Sequence, residues 1–160
     1  MKLLIVEDDD NKQSQISSFL NSQYSDLTLE VARSLKSGLK QIRTFNPDLV
    51  LLDMTLPTYD VGPDEPGGST HALGGREFLR ELKRYRLKPP VIVVTQYSIF
   101  DAGTEFATLQ ELDAEFMRTY PEVYRGAVYY HAAIGSWKDH IIKLINENVR
   151  EGQNAKDSDS

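Results

Sequence analysis

The chain has 160 residues, no cysteine, and 24 acidic residues against 18 Lys and Arg, for a net charge of -6. A length of this order buries one core without cross-links, the missing thiols exclude disulfide and thiolate chemistry, and the acidic balance argues against a surface that coats nucleic acid. The opening MKLLIV is too short for a signal-peptide core and no run approaches membrane-spanning length, so the sequence reads as a soluble protein of a reducing cytoplasm, not inserted in a membrane.

Strand and helix signals alternate along the chain, which predicts a parallel sheet with crossover helices. KLLIV (2–6) reads as a first strand, and residues 11–20 as a helix with Ile16, Phe19 and Leu20 at helical spacing. LTLEVAR (27–33) follows as a half-alternating strand. Ser34 can cap the next helix, which turns Leu35, Leu39 and Ile42 inward and ends at FNPD (45–48). The run LVLL (49–52) carries no polar alternation, as suits an interior strand covered on both faces. A third helix is predicted over about 76–86, where the basic stretch REFLRELKRYRLK (76–88) is interrupted by acids and reads as a wet helix face.

PPVIVVT (89–95) is a fourth buried strand with its prolines at the mouth, where missing N–H groups cost little. Phe106, Leu109, Leu112 and Phe116 recur at three- and four-residue steps and predict a fourth helix over 100–118. AVYYH (127–131) reads as the last strand, and Trp137, Ile141, Leu144 and Ile145 as the buried stripe of a final helix. Residues 1–150 thus form a single domain, and EGQNAKDSDS (151–160), with almost nothing to bury, a disordered tail. One segment breaks the rhythm. Five of the ten glycines and two prolines fall in 62–75, so the loop insertion 61–74 after the third strand is far longer than connections of this kind usually are. It could be a lid, a docking site or a tolerated insertion.

Asp53 ends the third strand and Glu7, Asp8, Asp9 and Asp10 end the first. In open parallel sheets ligands bind at those strand ends, in the crevice where strand order reverses. If the two strands are neighbours, Glu7 and Asp8 come within reach of Asp53, and three carboxylates repel unless a cation neutralises them. Hard oxygens in a small open site suit Mg²⁺. Each half also has a plainer reading, Asp53 as a turn cap and EDDD as acids favouring a helix N-terminus.

Taken in order, LLIVEDDD, PDLVLLDMTLP, PPVIVVTQ and YRGAVYY resemble the successive strands of a bacterial response-regulator receiver domain over roughly residues 2–149. The resemblance implies a doubly wound, flavodoxin-like α/β fold with a five-stranded parallel sheet in the order 2-1-3-4-5. It implies that Asp53 is the phosphoacceptor, a carboxylate nucleophile taking a phosphoryl group from a phosphohistidine of a histidine kinase or phosphotransfer protein. It also implies a Mg²⁺ site made by Asp8 with Glu7 beside it, Asp53 and the backbone carbonyl of Thr55. Thr95 matches the switch hydroxyl, and Tyr130 or Tyr129 the aromatic that moves with it. Such a protein is a phosphoryl acceptor in two-component signalling rather than a turnover enzyme.

The chain departs from the family pattern after the fifth strand, where a Lys-Pro is usual. Ala133 or Ala132 falls at the Lys position by different counts, and His131 is the nearest polar residue, a weaker and pH-dependent donor or simply a strand-edge His bonded to backbone or water. Lys138 lies too far into the helix region to be an obvious substitute. Gln96 stands where a small residue commonly gates the acid site, and its amide could hinder a phosphodonor or bond the phosphoryl group. The chain stops after its fifth helix, so it would act by contact with an unknown downstream protein target, without touching nucleic acid directly. Helix 100–118 and the last strand would be its output face and the surface for a homodimer.

Two other functions compete. A pseudo-receiver would keep the fold and signal by protein contact without phosphorylation, as the missing Lys, Gln96 and the insertion favour. A phosphatase of the haloacid-dehalogenase kind would want a second Asp two residues after the nucleophile, and Thr55 occupies that place. A threonine hydroxyl is a poor general acid.

Overall fold

The computed structural model describes residues 1–60, 70–71, 73–101 and 106–158, with side chains up to residue 149 except at 70–71. The elements run β1 (Lys2–Val6), α1 (Asp10–Gln23), β2 (Thr28–Ala32), α2 (Leu35–Phe45), β3 (Leu49–Leu52), β4 (Leu56–Pro57), β5 (Thr70–His71), α3 (Gly74–Arg84), β6 (Val91–Thr95), β7 (Ile99–Asp101), β8 (Phe106–Thr108), α4 (Leu109–Thr119), β9 (Tyr124–Tyr129) and α5 (Ser136–Ser158). Five of the strands form one parallel sheet in the order β2-β1-β3-β6-β9. Counted within the sheet this is 2-1-3-4-5, the flavodoxin-like order, which reverses direction between β1 and β3.

The unbroken apolar strands are explained by helices on both faces. Leu4 and Val6 of β1, Val50 and Leu52 of β3, and Val91 and Val93 of β6 point to one side, where they pack with Phe78, Leu79 and Leu82 of α3 and Leu112 and Phe116 of α4. The alternate residues Leu3, Ile5, Leu49, Leu51, Ile92 and Val94 point to the other, against Ile16 and Leu20 of α1 and Trp137, Ile141 and Ile145 of α5. Period-two alternation thus divides one hydrophobic strand between two cores.

Local capping chemistry sets the helix starts. Ser34 and Ser37 make a reciprocal capping box at α2, so the predicted cap is the observed one. Asp9 caps α1, its carboxylate accepting the Lys12 amide at 2.8 Å.

Residues 100–118 do not form one continuous helix. β7 and β8 pair as an antiparallel hairpin, and α4 begins only at Leu109. The physical reason is a second capping box: Thr108 Oγ1 accepts the Glu111 amide and the Glu111 carboxylate reaches back to the Thr108 amide. Upstream of that cap the side chains follow strand geometry, leaving Phe106 74% exposed and placing Phe100 in the core at 3%. The last strand also starts earlier than residue 127, because Tyr124 is buried and its hydroxyl donates to Asp113 Oδ1 at 2.5 Å. α5 runs to Ser158, through most of the stretch 151–160 that the sequence reads as an unstructured tail; once a helix is nucleated each added residue contributes a further hydrogen bond. Of the insertion 61–74, residues 61–69 and 72 lie outside the described residues, while Thr70–His71 pairs antiparallel with Leu56–Pro57 beside the site.

Candidate functional site

The C-terminal ends of β1 and β3 lie side by side, with Val6 paired to Leu52 and the Asp53 amide donating to the Val6 carbonyl at 3.0 Å. The residues that follow, Glu7, Asp8 and Asp53, converge there, each offering a carboxylate oxygen within 4.8 Å of the others. Glu7 and Asp53 are buried and Asp8 is half-buried. The run EDDD is thereby divided. Glu7 and Asp8 join the cluster, Asp9 caps α1, and Asp10 pairs with Arg33. The Arg33 guanidinium also donates to the Asp8 carbonyl at 3.0 Å, tying the site's rim to the end of β2.

A fourth charged group lies inside the cluster, and sequence reasoning missed it. Lys12 of α1 is only 3% exposed, and its ammonium donates to Asp53 Oδ1 at 3.0 Å and to the Val94 carbonyl at 2.8 Å. It also lies 2.6 Å from Glu7 Oε1, a close and fully buried ion pair. Lys12, Ile16 and Leu20 are the buried residues of α1 at successive four-residue steps, and that spacing was the available signal. A lysine at the end of such a stripe ordinarily extends its ammonium into water. Here the strand-end oxygens turn it inward.

The electrostatics follow from two buried carboxylates sharing one ammonium. Burial, then the neighbouring Asp53 charge, pushes Glu7 up to about 9, with Lys12 pulling the other way. Asp8 is also raised, by burial first and then by Asp53. Burial alone would lower Lys12, but Asp53 and Glu7 outweigh it and hold the ammonium above its ordinary value. The outer oxygen of the Asp53 carboxylate, Oδ2, accepts from Thr55 Oγ1 at 3.1 Å. One carboxylate oxygen is therefore gripped by Lys12 and the other by a partly exposed threonine.

Other candidates separate by face. Thr95 is fully buried at the end of β6, its Oγ1 accepting the Tyr97 amide at 3.2 Å, and the sheet register sets it beside Tyr129. Tyr129 is 46% exposed and borders a shallow recess with Ser98, Leu109 and Asp113. Tyr130 points to the opposite face. There it is buried between Trp137 and the Lys12 ammonium, 6.0 Å from its ring, and its hydroxyl donates to Gln15 at 2.7 Å. Of the two tyrosines only Tyr129 shares a face with Thr95. Gln96 is exposed, its amide donating to the Tyr97 hydroxyl at 3.1 Å. His131 is exposed in the turn after β9, where its Nδ1 accepts the Ala133 amide at 3.1 Å. No contact between His131 and the carboxylates is present among the described residues.

A buried acid at the C-terminal end of the central strand, two more acids on its neighbour and a hydroxyl on the next strand thus line the C-terminal edge of a doubly wound sheet. The sequence model of the response regulator receiver domain matches residues 3–113, and the chain belongs to that family. An uncharacterised protein, y4jR of Sinorhizobium fredii, is 40% identical over 144 residues, covering 88% of this chain and 94% of its own. The Detocs response regulatory protein DtcB of Enterobacter cloacae is 27% identical over 149 residues, covering 92% and 99%. Among solved structures, a CheY-like response regulator receiver domain from Methanospirillum hungatei aligns with a TM-score of 0.64 at 20% identity, over 96% of this chain and 97% of that one. The chain is therefore a receiver domain of the two-component response-regulator type. No helix among the described residues is long and apolar enough to cross a membrane.

Proposed function

We propose that this receiver accepts a phosphoryl group on Asp53 from the phosphohistidine of a histidine kinase or phosphotransfer protein, and signals by contact with a protein target. The observation that carries the reading is the carboxylate trio Glu7, Asp8 and Asp53 at the strand ends, with Asp53 buried and rigidly held. In the transfer an Asp53 oxygen attacks phosphorus and the P–N bond to the donor imidazole breaks. The electron pair stays on the imidazole nitrogen.

The residues present fit a Mg²⁺ ion. The trio offers oxygen ligands only, one of them half-buried beside solvent. Asp8, Asp53, Glu7 and the Thr55 carbonyl would hold it. When bound, Mg²⁺ neutralises the charge that gathers on the transferring phosphoryl oxygens. The protein's own residues do the rest. β3 fixes the nucleophile, Thr55 orients Oδ2, and Thr95 carries a hydroxyl that can turn from the Tyr97 amide to a phosphoryl oxygen. Tyr129, beside Thr95 in the register, would then couple the site to the surface of α4 and β9, the face on which a target or a second copy would dock.

The test is intact mass after incubation with acetyl phosphate and Mg²⁺. One phosphoryl adduct is expected on the natural chain and none on Asp53→Asn. A second reading, a phosphorylation-independent pseudo-receiver, is favoured by the absence of a lysine from the turn directly after β9, residues 130–135. That reading prevails if no adduct forms and beryllofluoride with Mg²⁺ does not bind.

A further inference from the structure

We infer that Lys12 is the cation of the phosphoryl site, delivered from the first helix and doing the work that this chain does not assign to a lysine after its last sheet strand. The inference rests on the phosphoacceptor reading of Asp53. Three observations carry it. The ammonium's three oxygen neighbours, Asp53 Oδ1, Glu7 Oε1 and the Val94 carbonyl, belong to three different strand ends, so its position is fixed by the sheet. It is almost wholly buried, so its charge acts through protein rather than through water and is little screened. Finally, it bonds Asp53 through Oδ1 while Thr55 takes Oδ2, so it occupies the inner side of Asp53 and leaves the outer side to a metal ion and an incoming phosphoryl group.

The chemistry follows from that placement. As Asp53 becomes an acyl phosphate its carboxylate loses negative charge, while the phosphoryl group brings two charges of its own to the same pocket. An ammonium already 3.0 Å from Oδ1 needs only a small displacement to bond a phosphoryl oxygen instead. It holds the nucleophile before transfer and compensates the product afterwards. Its second anchor, the Val94 carbonyl, immediately precedes Thr95, so movement of Lys12 toward the phosphoryl group would be felt at the switch threonine.

The experiment uses Lys12→Gln, which keeps an amide donor for the Val94 carbonyl and removes the charge. Adduct formation with acetyl phosphate and Mg²⁺ is followed by intact mass, and Mg²⁺ binding to the unphosphorylated protein by calorimetry. Phosphorylation is expected to slow by about a hundredfold, the order seen when one preorganised charge-stabilising donor is removed. Mg²⁺ is expected to bind more tightly, because its carboxylates lose a competing cation. A structural role alone would weaken both. The inference is overturned if the variant is phosphorylated as fast as the natural chain, or if Mg²⁺ binding falls along with the rate. Should Lys12→Gln fail to fold by circular dichroism, the double variant Lys12→Gln/Glu7→Gln removes the ammonium together with its buried Glu7 partner, and its phosphorylation rate is compared with that of Glu7→Gln; equal rates overturn the inference. If the natural chain itself accepts no phosphoryl group, the proposed function fails and this inference with it, whereas a competent natural chain and an equally competent variant sink the inference alone.

Discussion

Gly75 of α3 stands so close behind Asp53 that a Cβ added to it would lie 2.9 Å from the Asp53 carbonyl oxygen and 2.9 Å from Met54 Sδ. The first turn of α3 thus abuts the backbone of Asp53, and the Gly75 amide donates to the Met54 carbonyl at 2.9 Å. The main-chain oxygen cannot move without moving Asp53. Gly75→Ala is therefore expected to destabilise the fold by about 1–3 kcal/mol, the usual cost of overpacking, and to slow adduct formation as well. Urea denaturation and intact mass check the two halves, and unchanged values in both would contradict the contact.

The hairpin before α4 makes opposite predictions for two phenylalanines of the same segment. Phe100 is buried against Tyr97 and the core around α4, whereas Phe106 is open to solvent. Phe100→Ala should cost about 3–5 kcal/mol in denaturation experiments, and Phe106→Ala within about 0.5 kcal/mol. A continuous helix over 100–118 would instead make Phe106 the costly position.

Glu7 carries a pH signature with a definite sign. Its folded value, about 9, lies above the ordinary carboxylate value of 4.5, so the folded state holds its proton more tightly than the unfolded chain does. The stability this contributes is fully present below about 4.5 and is lost as pH rises through the window up to about 9, with a slope of at most about 1.4 kcal/mol per pH unit. Denaturation midpoints of the natural chain should therefore fall between pH 6 and pH 8 more steeply than those of Glu7→Gln. Parallel slopes would show that Glu7 does not hold the proton.

Magnesium should stabilise the fold by mass action. At a hundred times its dissociation constant a ligand of the native state adds about 2.7 kcal/mol, so thermal midpoints should rise with added Mg²⁺ and return on chelation. Asp8→Asn removes the half-buried carboxylate of the trio, and should reduce that rise while leaving the midpoint without metal nearly unchanged. A Mg²⁺ response equal to that of the natural chain would remove Asp8 from the proposed metal set.

Much of this protein is legible in one dimension because its signals are local. Unbroken apolar runs such as LVLL identify the interior strands, the Ser34 cap marks α2, and the order of strand-end acids, Asp53 and Thr95 points to the family and to the sheet order. The start of α4 was legible too, since Thr108 and Glu111 have capping-box spacing, but the periodic apolar residues on either side concealed it.

What only the tertiary structure decided is where charge is buried and which face a residue serves. Lys12 looks like the wet end of an amphipathic helix until the ends of β1, β3 and β6 surround it with oxygens that come from residues as far away as Val94. Tyr129 and Tyr130 are equivalent in the sequence until the register pairs the first with Thr95 and packs the second beneath Lys12. Sequence spacing determines which side chains share an element. The sign and depth of an electrostatic site depend on distances across strands, and those exist only once the sheet has assembled.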